Sequence, residues 1–373
     1  MATLDLVFEG GGAKGVAFAG ALEALAAHGH RPGRLVGTSA GAIAAALCAA
    51  GYSPAEMLAA LSEERDGRPR FLDFFDTPGP RDFPFEVRSR SLLARALRRI
   101  DVPGIPAVIE DDLDRMLLTG LLGQAAFARL FSLIECGGLY LGEALRGWVE
   151  EKLEAKGIPG STTLHEFHRI TGADLTVVAA DPQDRELLAL NHRTAPGLPV
   201  AAAVRMSAGI PFLWRPLQWR SRWGRYLGRS KAGHGIVDGG LLSNFPLRLL
   251  VEDSPLVRAA TGGAPPDPER CLGLLLDETL PVHGAGAVGS QETFWEEVPL
   301  FRQACDLIAM LTEAWDRPAL GRFERLVCRL PAKGYGTLEF AMDAERRGKL
   351  LAAARAAVAA HLEARAPELE RAA

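Results

Sequence analysis

Gly37-Thr38-Ser39-Ala40-Gly41 lies between a short apolar run, Leu35 and Val36, and an alanine-rich stretch from Ala40 to Ala50. A G-x-S-x-G pattern at a strand-to-helix junction lifts a serine hydroxyl out of a sharp bend. Gly37 and Gly41 suit that bend because a side chain there would collide with the tight backbone or with a substrate. An ordinary glycine-rich helix start has the same look, so the rest of the chain decides between the two. Leu35 to Ala55 carries no charge and is long enough to cross a bilayer. Its Ala and Gly content, with Thr38, Ser39, Tyr52 and Ser53, reads instead as a buried strand, turn and helix.

Upstream, Leu4 to Phe8 is β-prone and ends at Glu9. Gly10-Gly11-Gly12-Ala13-Lys14-Gly15 follows, then a helical pattern through Ala27 with apolar Val16, Phe18, Leu22 and Leu25. Strand, glycine loop, helix, strand, serine turn and helix form a βαβα start. That order predicts an α/β fold, its mostly parallel central sheet covered by helices. The glycine loop has three readings. Gly10, Gly12 and Gly15 match a dinucleotide fingerprint, which also wants an acidic residue ending the next strand. None occurs between Glu23 and Glu56. A phosphate P-loop wants Lys followed by Ser or Thr, and Gly15 follows Lys14. The third reading is an oxyanion loop, with successive glycines exposing N–H groups at a helix start. One βα unit before a nucleophile turn, it would share a sheet edge with Ser39.

A serine hydroxyl needs a base. The eight histidines (His28, His30, His165, His168, His192, His234, His283, His361) have no motif around them. Asp238 is the better candidate. It ends the apolar run Gly235-Ile-Val-Asp238, and Gly239-Gly240 allow another loop to approach closely. Sites in parallel sheets gather at strand carboxyl ends. A carboxyl of ordinary pKa, about 3.9, is a weak base, and burial raises it toward a useful value.

The bulk properties set the frame. The 373 residues are 48% hydrophobic and 24% charged, with a net charge of −4, an ordinary globular composition that points away from nucleic acid. Five scattered cysteines without C-x-x-C suggest neither disulfides nor zinc and fit a reducing compartment. No signal peptide or transmembrane helix is read, so the expected location is cytoplasmic with peripheral membrane contact. Residues 65–137 read as a helical insertion, either packed on the core or capping an apolar channel. It contains Phe71 to Phe75, a Ser91 to Ile100 helix and the apolar Met116 to Ile134. Trp214 to Lys231 interleaves aromatic and basic residues with no acidic one. Two readings stand for it. In one, Trp219, Arg220, Trp223 and Arg225 meet an anionic lipid interface; in the other, a hairpin turns its rings inward. Later elements are strands over Leu175 to Ala180, Glu186 to Leu190, Cys271 to Leu276 and Leu326 to Leu330. Helices are expected over Leu145 to Lys156, Ala201 to Met206, Phe294 to Trp315 and Asp343 to Glu363.

Four features taken in order resemble the patatin-like phospholipase family: Gly10 to Gly15, Gly37 to Gly41, Ser207-Ala-Gly-Ile-Pro211 and Asp238-Gly239-Gly240. The resemblance implies a three-layer α/β/α fold, one catalytic domain over residues 1–373 with the 65–137 insertion inside it, and lipid ester hydrolysis without metal or cofactor. By residue match Ser39 is the nucleophile and Asp238 the base of a Ser-Asp dyad. Backbone groups of Gly10, Gly11, Gly12, Lys14 and Gly15 form the oxyanion hole, and Gly37, Gly41, Gly239 and Gly240 support the elbow and dyad. Glu9 and Lys14 stand where family members often have Asp and Arg. The expected partner is a lipid or phospholipid, with an activating protein left open. An α/β-hydrolase esterase is the enzymatic alternative, although that fold usually sets several strands before its elbow and a histidine late in the chain. A silent or partner-activated lipid-binding regulator is the other.

Overall fold

The computed structural model describes residues 2–97, 116, 118–263, 267–284, 316, 318–337 and 339–372. The helix expected over Phe294 to Trp315 and Ile100 of the Ser91 run lie outside these residues.

The central sheet is built from β1 (Thr3–Phe8), β2 (Arg31–Thr38), β3 (Leu175–Asp181), β4 (Glu186–Leu190), β5 (Leu217–Gln218), β6 (Gly235–Asp238), β7 (Cys271–Pro281) and β8 (Val327–Lys333). Strands β8, β7, β1, β2 and β3 run parallel in that order. Strands β4 and β6 pair antiparallel with β3, and β5 pairs antiparallel with β6. Side chains alternate between two apolar layers. Leu4, Leu6 and Phe8 of β1 enter one cluster and Val7 the other. Leu272, Leu274 and Leu276 of β7 likewise oppose Cys271 and Leu275. Two buried faces explain why these strands read as near-continuous apolar runs.

On the first face lie α1 (Ala17–Ala27), α2 (Ala40–Ala49), α4 (Val200–Ser207) and α5 (Ala344–Ala372). The small Ala and Gly side chains of α1 and α2 bury those helices on nearly every side. In α5, Leu350, Ala354, Val358 and Leu362 recur every four residues as the buried stripe against α1. Burying each such leucine contributes about 1.5–3 kcal/mol. The helix runs past the expected Glu363 and through Pro367, anchored by Arg365, which donates to the Cys271 and Glu269 carbonyls at 2.8 Å each. The short helices Arg248–Val251 and Pro255–Thr261 cover the opposite face. Helices on both faces of a mostly parallel sheet give the three-layer α/β/α fold.

Within 65–137, Phe83, Leu118, Leu122, Ala128 and Phe131 make a small apolar cluster of their own. It is built around α3 (Ala125–Cys136), with the Phe83 and Phe131 rings edge to face at 5.0 Å. Leu92 is exposed, whereas Leu93 packs on the cluster.

The Trp-Arg segment turns its rings inward, which overturns the lipid-interface reading of Trp219 and Trp223. Those rings are 1% and 5% exposed, and Tyr226 is equally buried. Trp219 Nε1 donates to the Gly224 carbonyl at 3.1 Å, and the Ala189 N–H donates to the Tyr226 hydroxyl at 3.1 Å. Lys231, fully buried, ties the end of the segment to Asp181, Asp184 and Glu186. Arg220 and Arg225 are exposed, and the Arg220 guanidinium lies 5.4 Å from the Trp223 ring centre. Two-residue strands and the 3₁₀ turn Ser221–Trp223 set the aromatic rings toward the core while Arg220, Arg222 and Arg225 face solvent. Trp219→Ala is therefore expected to lower stability by about 3–5 kcal/mol. A urea unfolding midpoint indistinguishable from that of the native protein would contradict this packing. Among the described residues no helix is long and apolar enough to cross a membrane.

Candidate active site

The register of β3 sets the site. On one edge it pairs with β4; on the other it pairs first with β2 and then with β6. Thr38 lies opposite Val178, and Asp238 lies opposite the next residue, Ala179. Strand β6 thus enters head-on where β2 ends, bringing Asp238 to the serine turn.

Ser39 leaves β2 and precedes α2 with φ 54 and ψ −122. A positive φ is uncommon for a residue with a side chain and stores strain at the bend. The turn is tight enough that a Cβ on Gly37 would lie 2.3 Å from the Gly41 carbonyl oxygen. One on Gly41 would lie 2.3 Å from that of Phe8. The Ser39 N–H donates to Ser207 Oγ at 2.9 Å, and Ser207 donates in turn to the Val178 carbonyl at 2.5 Å. Two residues on, the Gly209 carbonyl accepts the Asp238 N–H at 3.0 Å. The Ser207 to Pro211 segment therefore braces both halves of the site. Its residues were legible as a motif, but nothing local to them indicated this task.

Asp238 is 5% exposed and faces the Ser39 side chain. It also accepts the Gly240 N–H at 2.8 Å. Gly239 sits against the Val178 carbonyl, where a Cβ would approach to 2.4 Å. Burial pushes the Asp238 carboxyl up to about 7, against the lowering effect of its hydrogen bonds and of the Arg205 charge. Arg205 is fully buried, and its Nε and Nη2 donate to the Gly142, Leu141 and Arg215 carbonyls while Nη1 has no partner among the described residues. That buried cation had no sequence signal beyond one charge in an apolar helix.

The glycine loop opens a short 3₁₀ turn, Gly12–Val16, ahead of α1. Not all of its N–H groups are free. Gly10 donates to the Asn244 carbonyl at 2.9 Å, Ala13 to Thr337 at 2.8 Å and Lys14 to Gly11 at 3.2 Å. Gly10 and Lys14 are corrected on this point, because a donor already bonded inside the protein is not offered to a ligand. Gly11 and Gly12 have N–H groups without a protein partner among the described residues. Gly12 has φ +56, and a Cβ there would lie 2.1 Å from the Thr337 carbonyl oxygen. Gly15 packs on Ala40, beside Ser39. Asn244 clamps the loop from both directions, since its Nδ2 also donates to the Gly10 carbonyl at 2.8 Å. Nearby lie two further carboxyls, half-buried Glu9 and buried Asp316. Glu9 accepts the Leu276 N–H at 2.5 Å and is pushed by burial up to about 8. Asp316 accepts from Ser243 at 2.7 Å and from the Phe245 N–H at 2.8 Å, and is raised to about 6. Lys14 is buried and ion-paired with Glu278.

Ser39 opens into a cleft of about 780 Å³, its mouth included. The lining is mostly apolar, with Ile43, Phe74 and Trp214, and with Phe340 and Met342 from the chain's C-terminal part. No histidine lines it among the described residues. Asp181, Asp184 and His234, elsewhere, approach metal-ligand spacing, and the Lys231 ammonium bonds both aspartates.

Known proteins resemble this chain in sequence and in fold. The profile of the patatin-like phospholipase family matches residues 6–251. An uncharacterized protein of Bacillus subtilis, YqhO, is 31% identical over 319 residues, covering 82% of this chain and 89% of that protein. A probable lipid hydrolase, 463L, of Invertebrate iridescent virus 6 is 24% identical over 116 residues, covering 31% of this chain and 36% of its own. The crystal structure of VipD from Legionella pneumophila superposes with a TM-score of 0.50 at 17% identity, over 97% of this chain and 67% of that one. On the match of residues 6–251 and the relative at 31% identity, the chain belongs to the patatin-like phospholipase family.

Proposed function

We propose that the protein hydrolyses lipid acyl esters, (phospho)lipids included, through Ser39 and Asp238. One observation carries the reading: a strained serine faces a buried carboxyl near neutrality, in the lining of a mostly apolar cleft. An acyl chain fills the cleft, and its ester carbonyl lies over Ser39. Asp238 takes the Ser39 proton as the oxygen attacks the carbonyl carbon. The developing oxyanion is received by the Gly11 and Gly12 N–H groups, each strong donor being worth about 3–4 kcal/mol. Collapse breaks the ester bond, and the leaving alcohol takes the proton from Asp238. A water then gives its proton to Asp238 and attacks the acyl-enzyme. The fatty acid departs as Ser39 regains its proton.

Labelling with a fluorophosphonate tests this directly. Purified native protein is expected to take up one probe at Ser39, and the Ser39→Ala protein none. Equal labelling of the variant places the reactive serine elsewhere and rejects Ser39, whereas no labelling of folded native protein rejects the dyad and favours a silent lipid-binding role.

A further inference from the structure

The cleft carries two charged side chains, Glu339 and Arg347. They differ in what they have left to give. Glu339 is satisfied internally: it accepts Arg346 Nε at 2.8 Å, Arg346 Nη2 at 3.2 Å and the Gly336 N–H at 3.0 Å. Arg346 is spent on that pair, on the Gly334 carbonyl and against the Tyr335 ring. Its neighbour Arg347 makes one side-chain bond, from Nη1 to the Met342 carbonyl at 3.3 Å. Among the described residues no carboxylate pairs with it. A guanidinium has five N–H donors, and this one lies half-buried at the wall of an otherwise apolar cleft that leads to Ser39. The segment bearing it is held in place, because Phe340 stacks on Phe71 with ring centres 5.5 Å apart and planes 5° from parallel. Phe340, Met342 and Arg347 all lie beyond residues 6–251, which the family profile matches.

We propose that Arg347 forms an anion subsite that reads the phosphodiester of an acylated glycerophosphate. In such a lipid the phosphate lies a few bonds from the ester carbonyl. An acyl chain in the apolar cleft with its carbonyl over Ser39 leaves the phosphate among polar groups at the wall, where planar guanidinium donors match its oxygens. The proposal rests on the Ser39 hydrolase reading and adds to it the class of head group that is preferred. A carboxylate at the end of a released fatty acid offers similar chemistry, so the test separates the two.

Rates are compared for phosphatidylglycerol and for a diacylglycerol of the same chains, each in neutral-detergent micelles. Arg347→Gln is expected to lower the phospholipid-to-diacylglycerol ratio of kcat/KM at least about tenfold, the size of one lost charge-assisted contact, chiefly through KM. Arg347→Lys should recover most of it. An unchanged ratio overturns the proposal, and so does a variant that alters only inhibition by oleate. A binding arm needs no turnover. Dodecyl phosphate, below its micelle concentration, is titrated into the Ser39→Ala protein by calorimetry. Its affinity is expected to fall about tenfold when Arg347→Gln is added, and equal affinity overturns the subsite even if the native protein hydrolyses nothing. Loss of all hydrolysis with the binding difference intact rejects the Ser39 mechanism alone.

Discussion

Ser39→Ala is expected to lower kcat/KM for a short-chain p-nitrophenyl ester by about 10⁴-fold or more, leaving the unfolding midpoint nearly where it was. The kinetic loss follows from removing the nucleophile of a covalent mechanism, after which only the oxyanion donors and the cleft remain. The small stability change follows from the local structure. The Ser39 N–H bond to Ser207 is made by the backbone and survives the substitution. The positive φ strains alanine as it strains serine. What is lost is one hydroxyl facing Asp238, worth at most about 1 kcal/mol. Steady-state kinetics beside a thermal melt separate the two effects. Activity within tenfold of native, with the melt unchanged, would remove Ser39 from the chemistry. A collapse of the melt would instead make the serine a structural element of the turn.

Ser39, the glycine loop and Asp238 were legible because each sits in a short run whose spacing carries its own constraint. A strand, a glycine turn and a helix follow one another within about a dozen residues, and local backbone geometry dictates the residue types. The boundaries of α4 and β3 were legible for the same reason, through periodicity and flanking breakers. What the sequence hid is non-local. That β6 enters where β2 ends depends on a register across β3, set by residues some two hundred positions from Ser39. The donor count of the glycine loop depends on Asn244 and Thr337, which take the Gly10 and Ala13 N–H groups. Trp219 and Trp223 show a different failure. An aromatic-basic alternation is the same string whether the rings face a core or a bilayer, and the partners across the fold decide: Ala189 for Tyr226, and Asp181, Asp184 and Glu186 for Lys231. Arg346 and Arg347 are likewise identical neighbours in sequence, and they part through Glu339, the Gly334 carbonyl and the Tyr335 ring, which take up Arg346 alone.

Asp238→Asn should cost about 10³-fold or more in kcat/KM while making the protein more stable at pH 8, and the two changes have one cause. The Asp238 carboxyl titrates near 7 in the folded chain and near its ordinary 3.8 when unfolded. Between those values the unfolded chain has released a proton that the folded chain retains. Stability therefore falls as pH rises from about 4 to 7 and is flat above. At pH 8 the buried carboxylate costs the fold roughly 4 kcal/mol relative to its neutral form. Asparagine removes that charge and keeps the geometry, since its amide oxygen can accept the Gly240 N–H and its amide nitrogen can face Ser39. The expected gain in melting temperature is thus larger at pH 8 than at pH 5. Activity moves the other way, because an amide cannot take the Ser39 proton. In the native protein kcat/KM should decline as pH drops below about 7, where Asp238 becomes protonated. Glu9 and Asp316, raised by burial to about 8 and 6, also titrate near neutrality close to the loop. The pH profile by itself does not separate them, whereas the Asn variant does: its residual activity should lose the limb near pH 7. Retained activity with that limb intact would transfer the base role away from Asp238. Lost activity with lower stability at pH 8 would mean that the carboxylate is a structural ion, and the strain of burying it would then need another explanation than catalysis.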